Sequence, residues 1–403
     1  MRPAGQSVSV ARPPLVSRRH KILYLTPNLK QGGAERQLLE LIRRLPERFE
    51  PVMCVFDQAV HYADYLLPGE PRHVLDVGRM TRAGFRRLCE VLRSEQPAIL
   101  HTWRDTANFW GRLATARVPV PIVVTSTRNR RLHPFNLLTE RRFARRTARV
   151  LANSEGVRRE LVSTARVPAD KIQIIHNFID LERFRAPTAE ERAQARAKWN
   201  LAPADIALLV PGRISMQKHQ FGLALALGML RRRKRLLPNV RVLLAGRRHD
   251  RIYGALLDPW LKLQGVFERV THLGTVSEMV SLYQAADVAV LPSLWEGLPN
   301  AVLEALACGL PAVVSHAANI DGIVTEGAGF EVPTFAHGAL ADALARITAL
   351  SDDERRAMGA RGRAHIADNF STTRVLAEMV DVYDRLLAEG GQTGQTEAGA
   401  TPR

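Results

Sequence analysis

Two kinds of apolar pattern alternate along the chain. Short runs of consecutive apolar residues predict strands that are buried on both faces of a parallel sheet, and apolar residues at every third or fourth position predict amphipathic helices. The predicted strands are residues 21–27, 51–56, 99–102, 121–126, 150–152 and 172–175, followed by 206–210, 240–245, 270–274, 287–291 and 312–315. Because strands and helices alternate, the sequence predicts the α/β class, with a parallel, doubly wound sheet in each half.

The chain divides at a polar stretch, residues 185–196, which follows the last strand of the first half. Both ends of the chain lack an apolar core, so we expect them to be disordered. The predicted segments are a disordered leader at 1–19, an N-terminal domain at 20–184, a C-terminal domain at 185–368, a final helical segment at 369–389 and a disordered tail at 390–403.

The composition narrows the choice of partners. The 403 residues include 57 Lys and Arg against 40 Asp and Glu, a formal net charge of +17, which favours acidic partners. We expect no nucleic acid among them, because the sequence has no zinc-finger spacing, RNA-binding signature or helix-turn-helix. No window approaches the roughly 20 apolar residues that span a bilayer. Three cysteines in apolar settings, without metal-ligand spacing, favour a reducing cytoplasm.

One predicted helix, which Asn300 can cap and which Gly309 and Pro311 end, contains a single charged side chain. Glu304 has only Ala, Val, Leu and Cys as its neighbours, so no polar face keeps the carboxylate in water. A buried carboxylate needs a partner, because an unpaired buried charge is costly. Glu296 precedes it in a Gly/Pro loop after a strand, where open α/β sheets bind ligands. The alternative is a core helix with one internally satisfied glutamate.

These residues resemble a known signature. Two glutamates separated by seven residues, set in Pro-Ser…Glu-Gly-Leu-Pro-Asn…Glu-Ala…Ala-Cys-Gly-Leu-Pro, are similar to the donor site of retaining GT-B glycosyltransferases of the family-4 type. The resemblance covers most of residues 21–388. It implies a GT-B architecture, in which two Rossmann-like, doubly wound domains face each other across a cleft and the final helix packs back on the first domain.

The donor side of such a cleft also needs cations. Arg213 and Lys218 lie in a loop after the first strand of the second half, beside a helix N-terminus, and form a candidate diphosphate clamp. The resemblance implies that Glu304 binds the ribose hydroxyls and that Glu296 holds the donor sugar. The full set of donor-binding candidates is Gly32, Gly33, Arg213, Lys218, His272, Leu273, Glu296, Gly297, Leu298, Pro299, Asn300 and Glu304.

The acceptor side is less defined. His101 ends a predicted strand, and it is either a core histidine or a group that faces the cleft; we count it as a catalytic candidate with Arg213, Lys218 and Glu296. Many members of the resembled family have a histidine in the loop that follows the next strand, where this chain has Thr or Arg. The acceptor-side candidates are therefore His101, Trp103, Arg128 and Asn129.

An arginine-dense stretch at residues 130–149 contains interleaved Phe and Leu. A basic amphipathic helix of this kind can lie on an anionic membrane, and the alternative is a solvated helix face. With this stretch, the sequence predicts a cytoplasmic protein that is peripheral on the inner face of the plasma membrane.

The predicted function is transfer of a sugar from a nucleotide diphosphate sugar, with UDP favoured, to a lipid-linked saccharide or polysaccharide precursor. The resemblance implies retention of anomeric configuration. No Asp-x-Asp motif occurs in the chain, so we expect fixed cations to replace a metal and no cofactor to be needed. The alternatives are a nucleotide-sugar epimerase or hydrolase on the same fold, and a non-catalytic sugar- or lipid-binding protein.

Overall fold

Two parallel β-sheets organise the protein in a computed structural model that describes residues 19–30, 32–59, 72–77, 80–130 and 133–397. The strands of the first sheet are β1 (His20–Thr26), β2 (Phe49–Val55), β3 (Arg72–Val74), β4 (Ile99–Trp103), β5 (Ile122–Thr127), β6 (Arg149–Ala152) and β7 (Ile172–Ile174). The strands of the second sheet are β8 (Ile206–Pro211), β9 (Val240–Ala245), β10 (Val270–Gly274), β11 (Val288–Leu291), β12 (Ala312–Ser315) and β13 (Gly329–Val332).

Both sheets are doubly wound. Within the described residues, the strand orders are β3-β2-β1-β4-β5-β6-β7 and β10-β9-β8-β11-β12-β13, and every neighbouring pair is parallel. The order reverses beside β1 in one sheet and beside β8 in the other, which creates a crevice at the carboxyl ends of those strands. The predicted α/β class with two doubly wound, Rossmann-like domains is confirmed.

Helices connect the strands and cover both faces of each sheet. They are α1 (Gly33–Arg43), α2 (Arg82–Glu95), α3 (Asp105–Thr115), α4 (Pro134–Phe143), α5 (Glu155–Ser163), α6 (Ala189–Lys198), α7 (Gln220–Arg232), α8 (Arg251–Gln264), α9 (Met279–Ala285), α10 (Asn300–Ala307), α11 (His337–Ala349), α12 (Asp352–Phe370) and α13 (Thr372–Glu397). Ser154 caps α5, and its side chain accepts a hydrogen bond from the Val157 N–H at 3.2 Å.

The apolar strands are buried on both sides, as parallel sheets require. Successive residues of β8 enter different cores: Leu208 packs in one apolar cluster and Leu209 in another, and both are fully buried. Leu23 and Tyr24 of β1 divide in the same way between two clusters of the first domain. These continuous apolar runs explain why the central strands were predictable from sequence.

Two edge strands were missed. The segments Arg72–Val74 and Gly329–Val332 form β3 and β13 at the ends of their sheets. Edge strands are partly exposed and need no long apolar run, so their sequence signal is weak.

The final helix packs against the first sheet. Val375, Met379 and Val382 of α13 lie in the same apolar cluster as residues of β1 and β4. The Tyr383 hydroxyl lies 3.1 Å from that of Tyr24. The helix continues to Glu397, beyond the predicted end at residue 389. Residues 1–18 of the predicted leader and 398–403 of the predicted tail lie outside the described residues.

The chain crosses between the two domains twice, and the two crossings are hydrogen-bonded to each other. The Ile179 N–H donates to the Phe370 carbonyl at 2.8 Å, and the Thr372 N–H donates to the Ile179 carbonyl at 3.2 Å. The predicted segment boundaries at 184/185 and 368/369 remain predictions, although both sheets lie inside the predicted domains.

Candidate active site

The carboxyl ends of the two sheets face each other across a cleft. Residues 32–36, 103–104, 126–129 and 176–178, at the carboxyl ends of strands of the first sheet, form what we call the first wall. Residues 212–220, 272–273 and 294–304, from the second sheet, form the second wall. Open α/β sheets bind ligands at this edge, so the cleft between the walls is the candidate site.

Two glycines let the walls touch. A Cβ atom at Gly297 would lie 2.3 Å from the carbonyl oxygen of Arg128, on the opposite wall. A Cβ atom at Gly33, at the start of α1, would lie 2.2 Å from Asn300 Nδ2. A side chain at Gly297 would push the walls apart, because the clashing atom belongs to the backbone, whereas a side chain at Gly33 would displace the Asn300 side chain.

On the second wall, a buried ion pair joins two predicted residues. Lys218 Nζ donates to Glu296 Oε1 at 2.7 Å, and the Glu296 side chain is almost entirely buried. Gln217 Nε2 donates to the other carboxylate oxygen at 3.3 Å and to the Trp295 carbonyl at 3.0 Å. The glutamate therefore holds the Lys218 side chain in place at the mouth of the crevice.

Arg213 belongs to the same loop as Lys218. Gly212 adopts a φ of +133°, and a Cβ atom there would lie 2.9 Å from Lys218 Cε, so the loop can fold tightly only with glycine at this position. The Arg213 side chain is exposed, with Nη1 3.3 Å from His249 Nε2. Burial, and then the charge of Arg213, lower the pKa of His249, which keeps this imidazole neutral at pH 7.

Glu304 has two partners, one on each side of the cleft. Tyr283 donates its hydroxyl to Oε2 at 2.9 Å, and Arg36 of α1 forms an ion pair with Oε1 from the opposite domain. Burial, reinforced by the Glu304 charge, raises the pKa of Tyr283 well above its usual value, so the tyrosine stays a donor. Glu304 is 6% exposed, as expected for a charged residue on an otherwise apolar helix.

Asn177, which follows β7, connects the two walls. Its Nδ2 donates to Asn300 Oδ1 at 2.7 Å and to the Leu298 carbonyl at 3.1 Å. Its Oδ1 accepts from Arg128 Nη1 at 2.6 Å. Asn300 does not cap α10 as the sequence predicts; it is the first helical residue, and its side chain is used in this contact between domains.

Arg128 and Trp103 form the floor of the first wall. The guanidinium carbon of Arg128 lies 3.9 Å from the centre of the Trp103 ring, in a cation–π contact. The Trp103 Nε1–H donates to the Ala34 carbonyl at 2.9 Å. Arg128 is 8% exposed, and burial lowers its pKa to about 9.

His101 does not face the cleft. Of the two alternatives, the structure shows the core histidine, so counting His101 as a catalytic candidate was wrong. The ring is fully buried, with Nδ1 2.7 Å from the Tyr383 hydroxyl and Nε2 2.8 Å from the Ser126 hydroxyl. Burial, with a smaller contribution from Arg128, lowers its pKa to about 3. His101 is therefore a satisfied core histidine that ties α13 to β4 and β5.

Comparison with known proteins identifies the family. Residues 31–183 match the family described as Glycosyltransferase Family 4, and residues 191–365 match Glycosyl transferases group 1. The chain is a GT-B glycosyltransferase.

Solved structures share the fold of this glycosyltransferase. The Anabaena protein Alr3699/HepE, in complex with UDP and glucose, superimposes with a TM-score of 0.79 at 20% sequence identity, covering 91% of this chain and 100% of that one. Sucrose-phosphate synthase from Thermosynechococcus elongatus gives a TM-score of 0.77 at 20% identity, covering 92% and 100%. These likenesses support the GT-B architecture, with two Rossmann-like domains.

The curated relatives align with this chain over different shares of their own lengths. A D-inositol 3-phosphate glycosyltransferase from Mycobacterium sp. is 30% identical over 213 residues, which is 48% of this chain and 45% of that protein. The chain thus matches less than half of that relative. A protein of the same name from Salinispora tropica is 29% identical over 402 residues, covering 89% of this chain and 82% of its own length. An alpha-D-kanosaminyltransferase from Streptomyces kanamyceticus is 28% identical, covering 72% and 78%.

The structure also shows where the other site residues predicted from the sequence lie. His272 and Leu273 lie in β10, and His272 Nε2 is 3.0 Å from Asp258 Oδ1. Gly32 packs on Glu35, whose carboxylate pairs with Arg104. Leu298 and Pro299 are buried beside Gly297, and Asn129 is exposed.

Sequence reasoning missed three residues that complete the cleft: Arg36, Asn177 and Tyr283. Arg36 lies in the Gly-Gly-Ala-Glu-Arg-Gln segment, so its charge beside two glycines was a signal. The role of Asn177 depends on contacts across 121 to 123 sequence positions, which no local pattern encodes.

In the described part of the chain, no cluster of three or more His, Cys, Asp or Glu residues is arranged to hold a metal ion. No helix in that part is long and apolar enough to cross a bilayer.

Proposed function

We propose that this GT-B enzyme transfers a sugar from a nucleotide diphosphate sugar, with UDP as the favoured nucleotide, to an acceptor alcohol with retention of configuration. The observation that carries the proposal is the buried Lys218–Glu296 ion pair on the second wall. Arg213 lies in the same loop as Lys218, and Glu304 lies on α10, the helix that follows Glu296. This arrangement provides cations for a diphosphate and carboxylates for sugar and ribose hydroxyls within one crevice.

The cations address the leaving group. Negative charge grows on the nucleotide diphosphate as the sugar–phosphate bond breaks, and preorganised cations stabilise it. Lys218 is held by Glu296, so little reorganisation is needed when the diphosphate arrives. Arg213 is exposed at the mouth of the crevice and can pair with phosphate oxygens in bidentate fashion. Because fixed cations supply this charge, we propose that transfer needs no metal.

The two glutamates retain hydrogen-bond acceptor sites for the hydroxyl groups of the donor. A carboxylate has about four acceptor sites, and Arg36 and Tyr283 each use one on Glu304. The remaining sites can accept from ribose hydroxyls. Each glutamate is also paired with a cation, Lys218 or Arg36, which weakens it as a nucleophile. This supports retention by attack of the acceptor on the face from which the leaving group departs, without a covalent intermediate.

The names of related proteins support a nucleotide sugar as donor. The Anabaena structure contains UDP and glucose, and two curated relatives are named D-inositol 3-phosphate glycosyltransferase. For this chain we propose a lipid-linked saccharide or polysaccharide precursor as the acceptor.

The arginine-rich stretch supports attachment to an anionic membrane surface. Phe135 and Leu138 on α4 are 50% and 63% exposed. The exposed arginines that accompany them are Arg141, Arg142, Arg145 and Arg146. Apolar and basic side chains on one exposed surface fit the headgroup region of an anionic leaflet, on the cytoplasmic side.

Co-sedimentation with phosphatidylglycerol vesicles should fall about tenfold or more in Arg141→Gln/Arg142→Gln, since each arginine near such a surface contributes about 1 kcal/mol. The control is Arg232→Gln/Arg233→Gln, and equal loss in both variants would contradict a specific membrane face.

The proposed reaction is tested by ligand binding and then by product analysis. Calorimetry with UDP, GDP, ADP and their glucose conjugates should give saturable binding for one nucleotide series, with UDP expected. NMR of the product formed with that donor should show the anomeric configuration of the donor. Release of free sugar as the main product in the presence of acceptors would favour the hydrolase alternative.

Metal independence has its own measurement. Initial rates should be unchanged after treatment with EDTA. A rate that disappears with EDTA and returns only with Mg²⁺ or Mn²⁺ would rule out the fixed-cation proposal.

A further inference from the structure

Arg128 differs from the other buried charged residues of the protein. In the described part of the chain, each of the others has an oppositely charged partner: Glu35, Glu40, Arg112, Glu140, Arg196, Asp287, Glu296, Glu304 and Arg355. Arg128 is 8% exposed and has none within that part. The first wall thus contains one buried positive charge that the described residues do not neutralise.

The hydrogen-bonding capacity of Arg128 is also largely unused. A guanidinium has five N–H donors. The one hydrogen bond described is from Nη1 to Asn177 Oδ1 at 2.6 Å, and the buried Nε has no partner among the described residues. Trp103 covers a face of the guanidinium with its ring, 3.9 Å away. Stacking on a face leaves the donors at the edge free to meet a planar or tetrahedral oxyanion in bidentate fashion.

This arrangement is unfavourable for the protein alone. An unpaired buried charge costs several kcal/mol when no anion compensates it, and burial already lowers the pKa of Arg128 to about 9. Such costs are typical of binding sites, where the ligand supplies the missing charge.

The position of Arg128 indicates which ligand supplies it. Its carbonyl oxygen contacts Gly297, and Asn177 joins its guanidinium to Asn300, so the charge lies beside the donor-sugar loop. The diphosphate of the donor is assigned to Arg213 and Lys218 on the second wall. The first wall therefore has a cation for a second anion.

We propose that Arg128 binds an oxyanion, a phosphate or a carboxylate, carried by the acceptor substrate. This inference rests on the proposed glycosyl transfer, and it assigns to the acceptor a negative charge close to the attacking hydroxyl. Trp103 and Asn177 are positioning residues, because they hold the guanidinium plane and leave its free donors available.

Inorganic phosphate is the probe for the site, because the acceptor itself is not needed. Calorimetric titration of phosphate into the UDP-saturated wild-type enzyme should show one saturable site, since UDP occupies the diphosphate clamp. Arg128→Gln should weaken phosphate binding about tenfold or more, as expected for loss of a charge-assisted pair. Arg128→Lys keeps the positive charge but loses the paired N–H donors of the guanidinium, so it should bind phosphate with intermediate affinity. Arg93→Gln, at an exposed arginine of the same domain, is the matched control and should bind like the wild type.

Two results would overturn the assignment. The first is the absence of saturable phosphate binding to the UDP-saturated wild type, and the second is equal affinity in Arg128→Gln and wild type. Failure of UDP itself to bind would instead reject the proposed function. The phosphate titration is therefore repeated without UDP, where Arg128→Gln and Arg213→Gln report on the two anion sites separately.

A second arm distinguishes an anion on the acceptor from one on the donor sugar. The ratio of dissociation constants for UDP-glucose and UDP-glucuronate should be the same in wild type and Arg128→Gln. A wild-type preference for UDP-glucuronate that disappears in Arg128→Gln would place the anion on the donor and overturn the acceptor assignment. Melting temperatures of all variants establish that the comparison is between folded proteins.

Discussion

The two walls of the cleft treat charge in opposite ways. On the second wall, Lys218 is neutralised by Glu296 before any ligand arrives, whereas on the first wall Arg128 is buried without an anion among the described residues. The second wall can therefore hold its geometry in the absence of substrate. The first wall gains its missing charge only on binding, which is the expected behaviour of a surface that selects one class of substrate.

The largest expected effect comes from removing a cation of the second wall. Arg213→Ala should lower kcat by roughly a hundred- to a thousandfold, because the developing charge on the diphosphate loses a preorganised partner. Initial-rate kinetics and circular dichroism measure activity and folding. The matched control is Arg356→Ala, at a surface arginine that pairs with Asp353 far from the cleft, and it should retain full activity. Near-normal kcat in Arg213→Ala would remove this residue from the clamp.

The next effect tests the contact that joins the walls. Glu304→Gln removes the charge that pairs with Arg36 and weakens the proposed ribose contact, so the dissociation constant for UDP should rise about ten- to a hundredfold. Calorimetry gives the constant. Tyr283→Phe removes the other partner of Glu304 but leaves the carboxylate charge, and it should have a smaller effect. Unchanged UDP affinity in Glu304→Gln would show that Glu304 is only a structural partner of Arg36.

A smaller effect, on the pH dependence of stability, tests whether His101 belongs to the core rather than to the cleft. Its pKa is about 3 in the folded protein against an ordinary 6.5, so the unfolded chain binds a proton more readily between these values. The free energy of unfolding should fall as the pH drops from about 6.5 toward 3, with up to about 1.4 kcal/mol per pH unit from this group. Urea denaturation at several pH values should show a shallower acid dependence in His101→Gln. An identical dependence in both proteins would contradict the assigned burial.

The smallest effect concerns the stability of the empty first wall. Arg128→Met removes the unpaired charge and keeps an apolar chain against Trp103. We expect it to raise the melting temperature of the ligand-free enzyme by about 2 °C or more, because each 1 kcal/mol shifts Tm by about 2–4 °C in domains of this size. Differential scanning calorimetry in a phosphate-free buffer measures the shift. A large decrease in Tm would mean that Arg128 stabilises the fold rather than a ligand.

The parts of the molecule that sequence could predict are those whose signals are local. The second wall comes mainly from two contiguous loops, so Lys218, Glu296 and Glu304 could be found from motif and burial arguments. The buried central strands were also predictable, because they are continuous apolar runs. In contrast, β3 and β13 are short edge strands with little apolar signal.

The first wall could be predicted only in part, for a physical reason. Its polar residues follow four different strands, and their roles depend on partners far along the chain. The sequence predicts that His101 lies at the end of a strand, as a cleft residue would, and only the contact with Tyr383, 282 positions away, shows that it belongs to the core. Arg128 was expected near the acceptor, but its unpaired state could not be read from a sequence with an arginine excess throughout.

The pairing of the two interdomain crossings affects how the enzyme can open. Since Ile179 is hydrogen-bonded to both Phe370 and Thr372, we expect the two connecting segments to move together as a single strap, which joins the domains at one place. Such a strap permits rotation about one axis and resists sliding of one domain along the other. If the cleft opens to release a product, we expect a hinge rotation about this connection that breaks the Arg36–Glu304 ion pair.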